Sequence, residues 1–315
     1  MKKVLLIAIL SFAVISCGNN KGQDKENGGE GSGTISIDGS STVYPITEAV
    51  AEEYRAVQPK VDVTIGVSGT GGGFKKFGRG EINISDASRP IKDEEAAVAK
   101  ENNISYVELE VAYDGLAVVI NPENDWATTF TVEELKKIWE PSAQGTIKKW
   151  NQINPAWPNE EIHLFGPGVA SGTFDYFTEA IVGKSGSSRG DFTASEDDNV
   201  LVQGVAGDKY GLGFFGLAYF EANQDKLALA AVDGGNGGVK PSTETVKDGT
   251  YAPLSRPLFI YVNSSSMKNQ EVIDFVNFYL DKAGALAKDV GYIALTKEEY
   301  AAQKEKFNKF VAENK

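Results

Sequence analysis

The chain has 315 residues, with 31 Lys and Arg against 44 Asp and Glu, a formal net charge of −13, one histidine and one cysteine. That balance argues against a nucleic-acid partner, because such binding is dominated by Lys and Arg neutralising phosphates, and a single cysteine excludes an intramolecular disulfide. It does not exclude a small anionic ligand, since a closed cleft can hold one through local donors while the outer surface stays acidic.

Met1-Lys2-Lys3 is a basic start, and Val4 to Ile15 is an apolar run broken only by Ser11. A mature bilayer span needs about 20 apolar residues, so residues 1–16 are expected to be a signal peptide. The run ends in Val14-Ile15-Ser16-Cys17, which resembles the bacterial lipobox. That resemblance implies that Cys17 is acylated and anchors through buried methylenes worth about 0.8 kcal/mol each. The plain alternative is a core segment with an incidental thiol. Gly18 to Gly33 has no aromatic or aliphatic residue to bury, so residues 17–33, with the lipidated cysteine at their start, are expected to be a flexible tether.

Thr34 to Asp38 alternates polar and apolar residues and predicts a strand. Ile46, Ala49, Val50 and Tyr54 recur at helical spacing, so a helix is expected to about Arg55. Val61, Val63 and Ile65 mark a second strand, followed by a glycine-rich turn and a short helix with Phe74 and Phe77. Ile82 and Ile84 mark a third strand, and Lys92 to Lys100 a helix. This strand-turn-helix rhythm, three times over, predicts a parallel α/β sheet. Val107 to Val111 and Leu116 to Ile120 read as two strands. Val132 to Trp139 reads as a helix, Ile162 to Phe165 as a strand, and Phe174 to Ile181 as a helix. Gly211 to Gly216 and Leu258 to Val262 read as buried strands. Asn269 to Ala283 and Lys297 to Glu313 read as amphipathic helices.

Three turns are rich in Gly, Ser and Thr, follow a strand and open a helix: Gly39 to Thr42, Gly66 to Gly73, and Gly166 to Thr173. N–H groups at a helix start lack intrahelical partners, and the dipole there favours negative charge. Small hydroxyl residues add donors without blocking close approach, which makes an anion site. In open α/β sheets, ligands collect beyond the carboxyl ends of the strands, where all three turns are expected. A single turn of this kind would more simply change the chain's direction.

The order of Asp38-Gly39-Ser40-Ser41-Thr42-Val43-Tyr44-Pro45, Ser68-Gly69-Thr70-Gly71-Gly72, Ser85-Asp86-Ala87-Ser88-Arg89-Pro90 and Ser171-Gly172-Thr173 resembles the phosphate-binding proteins of Pst-type ABC importers. The resemblance covers nearly all of the chain after the tether. It implies an α/β, two-lobed periplasmic-binding-protein fold of type II, with mixed sheets, hinge strands and phosphate enclosed between the lobes. It further implies a ligand set of Ser41, Thr42, Val43, Ser68, Asp86, Ser171, Gly172 and Thr173. Asp86 would accept the proton of hydrogen phosphate, leaving sulfate to face an unpaired buried acceptor. The plain alternative for Asp86 is a helix N-cap. Members of the family carry an arginine four residues before Ser-Gly-Thr, where this chain has Pro167. Arg89 is expected to take over its charge-pairing role, with Arg189 the second candidate and a surface arginine the plain alternative. Phe174, Tyr176 and Phe177 read as core.

The expected lobes are residues 34–114 with 255–315, and residues 115–254. The expected activity is phosphate binding and delivery to an ABC permease by a monomer lipid-anchored outside the cytoplasm, with no enzyme activity, cofactor or metal. A binding protein for sulfate or molybdate is the close alternative. A signalling or adhesive lipoprotein that kept the fold is another. A secreted hydrolase is poorly supported, since His163 is the one histidine and no G-x-S-x-G elbow occurs.

Overall fold

A computed structural model of the chain describes residues 33–169, 171–195 and 197–315. The expected signal peptide, Cys17 and all of the tether but Gly33 lie outside the described residues. Gly33 already belongs to the first strand.

In chain order the elements are β1 (Gly33–Gly39), α1 (Tyr44–Val57), β2 (Val61–Gly66), α2 (Thr70–Gly78), β3 (Ile84–Ala87), α3 (Asp93–Glu101) and β4 (Tyr106–Ile120). Next come β5 (Thr129–Thr131), α4 (Val132–Trp139), β6 (His163–Pro167), α5 (Gly172–Phe177), β7 (Thr193–Ser195), α6 (Asp198–Ala206), β8 (Gly211–Gly216) and α7 (Leu217–Glu221). The chain ends with β9 (Ala228–Leu229), β10 (Ala231–Asp233), β11 (Gly238–Val239), α8 (Thr243–Lys247), β12 (Ser255–Asn263), α9 (Gln270–Asp289) and α10 (Lys297–Asn314). A π-helical turn, Thr178–Val182, continues α5.

The main sheet runs β2-β1-β3-β12-β4-β8-β6-β7, with β9 also on β4. β1 pairs in parallel with β2 and β3, as the threefold rhythm predicts. β12 then runs antiparallel between β3 and β4. The two strands expected at Val107–Val111 and Leu116–Ile120 are one strand of 15 residues. Tyr113-Asp114-Gly115 breaks the apolar pattern without breaking the ladder, because β12 stays paired through Gly115 and β8 takes over from Leu116.

That strand links two large apolar clusters. One contains Ile35, Val50, Leu109, Ile260, Tyr279 and Phe307. The other contains Val118, Trp139, Trp150, Phe177, Phe214 and Tyr251. Each large side chain fully buried in this way contributes about 1.5–3 kcal/mol. Asp114–Gly115 of β4 and Ser255–Arg256 of β12 pair at the passage between the clusters. Among the described residues no helix is long and apolar enough to cross a membrane.

Candidate functional site

Strand ends deliver polar turns to one place. The chain leaves β1 through Ser40–Val43 into α1, leaves β2 through Val67–Gly69 into α2, and leaves β3 through Ser88–Pro90. Opposite them Ser171 caps α5, its Oγ accepting the Thr173 N–H at 3.2 Å. Among these segments lies a cavity of about 560 Å³. Ser40, Ser41, Thr42, Gly69, Thr70, Gly71, Ser88, Arg89 and Lys92 line it from the α1–α3 side. Asp175, Tyr176, Glu179, Ala180 and Ser185 line it from the α5 side, and Pro253, Ser255 and Arg256 where β12 begins. The starts of α1 and α2 direct positive dipole ends to its edge, and the hydroxyls add donors.

Two glycines make the approach possible. A Cβ on Gly73 would lie 2.7 Å from Gly39 Cα and from Ser85 Oγ, so α2 rests directly on the end of β1. A Cβ on Gly172 would lie 2.9 Å from Thr42 Cα and 3.0 Å from the Ser41 oxygen. The starts of α1 and α5 therefore touch backbone to backbone. Beside that contact the Ser41 hydroxyl donates to Asp175 Oδ2 at 3.2 Å.

Arg256 ties these parts together. Its Nη2 donates to Thr42 Oγ1 at 2.7 Å and its Nη1 to Ser88 Oγ at 3.1 Å. Ser88 Oγ lies 3.1 Å from Thr70 Oγ1, which also accepts the Ser88 N–H at 3.2 Å. The guanidinium carbon sits 3.4 Å from the centroid of the Tyr176 ring, and the Tyr176 hydroxyl donates to the Pro253 oxygen at 2.8 Å. Cation–π contact of a desolvated arginine contributes about 2 kcal/mol. Glu179 Oε2 is 3.9 Å from Nη1, and Asp114 Oδ2 is 3.6 Å from Nε. Burial pushes the Asp114 carboxyl up to about 6, with Arg256 pulling the other way. The other arginine at the cavity, Arg89, is held by a two-pronged pair with Glu95, both bonds 2.8 Å.

A family model described as a PBP superfamily domain matches residues 24–283. The chain belongs to the PBP superfamily. It is 52% identical over 277 residues to the protein SphX of Synechocystis sp., across 88% of this chain and 82% of that protein. It is 40% identical over 308 residues to a phosphate-binding protein PstS of Staphylococcus saprophyticus, across 96% of this chain and 92% of that one. A solved structure of a possible phosphate binding protein from Planctomyces limnophilus matches with a TM-score of 0.85 and 47% identity, over 89% of this chain and 99% of that one.

Of the residues expected at the ligand in this PBP-superfamily chain, Ser41, Thr42 and Arg89 line the cavity. Ser171, Gly172 and Thr173 form the α5 start that abuts Thr42, and Val43 is the fully buried N-cap of α1. Ser68 does not line the cavity. Its N–H and hydroxyl both donate to Asp38 Oδ1, at 2.9 and 2.6 Å. Gly69, at φ +77°, then turns the chain so that Thr70 and Gly71 reach the cavity instead.

Asp86 does not line the cavity either. On β3 it shares a face with Ile84, which is core, and it packs beside Thr47 and Tyr279 rather than lining the cavity. Neither carboxyl oxygen has a hydrogen-bond partner of good geometry. Burial pushes this carboxyl up to about 8, the Thr47 hydroxyl opposing and the Asp38 charge adding. Nor is it an N-cap, since Lys92 precedes α3. Arg189 lies away from the cavity in a structural clamp with Asp191 and main-chain oxygens. Phe174 and Phe177 are core as expected, whereas the buried Tyr176 ring also lines the cavity. His163 begins β6 and bonds to Asp208, and neither lines the cavity. Among the described residues no group of three His, Cys, Asp or Glu side chains is arranged to hold a metal ion. Sequence reasoning missed Thr70, Ser88 and Arg256. The signal for the last was a lone cation opening the apolar run Leu258 to Val262.

Proposed function

We propose that this chain binds inorganic phosphate in the cavity and delivers it to an ABC-type importer, as a substrate-binding protein and not an enzyme. The observation that carries this reading is the convergence of Arg256, Arg89, the hydroxyls of Ser41, Thr42, Thr70 and Ser88, and two helix starts on one cavity. Relatives named as phosphate-binding proteins support it. Residues 34–114 with 255–315 act as one lobe and residues 115–254 as the other. The β4 and β12 crossings serve as the hinge about which ligand draws the lobes together. The proton of hydrogen phosphate meets an acceptor in Asp175 or Glu179, which face the cavity where Asp86 does not. Sulfate, with no proton, meets those carboxylates with repulsion alone. Acylated Cys17 holds a monomer to the outer side of a bacterial membrane.

Calorimetric titration of the full chain with phosphate, sulfate and molybdate, after unfolding and refolding to strip carried ligand, tests the reading. One-to-one binding of phosphate with silence toward the other two is expected. Binding of sulfate or molybdate without phosphate would replace the ligand and keep the fold.

A further inference from the structure

We infer that Asp114 is a resident counter-ion that competes with the bound anion for Arg256, so that anion uptake draws a proton onto a buried carboxyl. The inference rests on the reading of the cavity as an anion site.

The pair is fixed by the fold and yet incomplete. Asp114 and Arg256 are register partners on the two strands that pass between the clusters, so their backbones cannot drift apart. Asp114 is 1% exposed. Its Oδ2 and the Arg256 Nε are both buried and both lack a hydrogen-bond partner, although they lie only 3.6 Å apart. The guanidinium is instead drawn to the cavity side, where its Nη atoms donate to the neutral oxygens of Thr42 and Ser88. An anion in the cavity offers charged acceptors to those same donors, and such bonds are roughly twice as strong as neutral ones.

No other charge can hold Asp114 ionised. From β12 it faces Arg256, from α5 Tyr176, and from the turn after α9 Tyr292. Burial pushes both phenols far above their ordinary range, so both are neutral. Tyr292 in turn faces Asp198 and Tyr219, and Glu179 faces Arg256 from the cavity side. Arg256 is thus the one cation acting on this carboxyl among the described residues. A neighbouring cation lowers a carboxyl by about 1–3 pH units. Sharing the guanidinium with a second anion returns part of that. The Asp114 carboxylate then takes one proton from solvent, and no covalent bond between heavy atoms changes. By reciprocity, protonating Asp114 tightens anion binding.

Carboxyl carbon NMR of the full chain, titrated with and without inorganic phosphate, reads the effect directly. The Asp114 midpoint is expected to rise by about one pH unit when phosphate is bound. Calorimetry of phosphate binding from pH 5 to 7.5, in buffers of different ionisation enthalpy, gives a second reading. Relative to Asp114→Asn, the wild type is expected to take up additional protons, and its affinity relative to the variant to rise about fivefold toward pH 5. A midpoint that stays put or falls with phosphate would overturn the inference, as would equal proton uptake and equal pH slopes in the two proteins. The NMR readout needs no substitution, so a variant that fails to fold does not rescue the idea. Failure of the wild type to bind phosphate at all would instead overturn the reading of the cavity, and this inference with it.

Discussion

Two arginines, each largely removed from solvent, are used in opposite ways by this chain. Arg189 is saturated. Its Nη1 donates to the Ile138 and Ile147 oxygens at 3.1 and 3.0 Å, and its Nε and Nη2 grip Asp191. That grip holds the Asp191 carboxyl down at about 2. Arg256 is held by two neutral hydroxyls and an aromatic face, with its Nε unpaired and its nearest carboxylate out of hydrogen-bond reach. A guanidinium whose donors are all spent on its own chain stabilises a fold. One whose partners are weak, beside a cavity, is left with binding capacity for a ligand.

The strongest way to break this contrast is Arg256→Ala. Two charge-assisted bonds at about 1.5–3 kcal/mol each imply a loss of about 10²- to 10⁴-fold in phosphate affinity by calorimetry. Arg256→Lys should recover part of it, because a lysine keeps the charge but not the fork. Affinity near wild type in Arg256→Ala would move the anion to Arg89. The matching change on the other side, Arg189→Ala, should lower unfolding free energy by about 2–4 kcal/mol in denaturant, since it strands the Ile138 and Ile147 carbonyls. Phosphate affinity of the folded fraction should shift less than about twofold, as expected of independent sites.

Asp86 sharpens the same point from the acidic side. In the unfolded chain an aspartate releases its proton near pH 4, while the folded protein holds this one until about 8. The unfolded state therefore binds fewer protons between those values, and stability falls as pH rises from about 4 to 8, then levels off. The loss is on the order of 5 kcal/mol. Asp86→Asn should flatten that slope in denaturant titrations at several pH values and leave phosphate affinity within about twofold. A collapse of affinity in this variant would return the carboxyl to the ligand.

What was legible in the sequence follows from how local each signal is. Strand alternation and the Gly-Ser-Thr turns located β1 to α3 and both helix starts, because those patterns are carried by neighbours within a few residues. The face of Asp86 is equally local: Ile84 and Asp86 lie two apart on one strand, so a core Ile84 predicts a core-facing Asp86. Arg256 could not be placed from spacing. It reaches Thr42 across 214 residues of chain, and only the pairing of β12 with β4 brings it to the cavity. The single strand at Tyr106–Ile120 was missed for a related reason. A polar Tyr-Asp-Gly interruption looks like a turn until a partner strand is known to continue through it.

The smallest expected effect tests whether contact between the two helix starts matters beyond the arginine. Gly172 meets Thr42 through backbone atoms, which cannot rotate aside as a side chain could. A Cβ at 2.9 Å from Thr42 Cα must push α5 and α1 apart by several tenths of an ångström, a strain of about 1–2 kcal/mol. The Thr42 hydroxyl, now 3.5 Å from the Gly172 oxygen, would move with it. Gly172→Ala should therefore weaken phosphate binding by about tenfold, chiefly through faster release, because strain borne only by the closed form acts on its lifetime. Stopped-flow displacement would separate the rates. A tenfold slower association with unchanged release would mean that the contact guides closure, and unchanged affinity would mean that the two starts need not touch for the anion to be held.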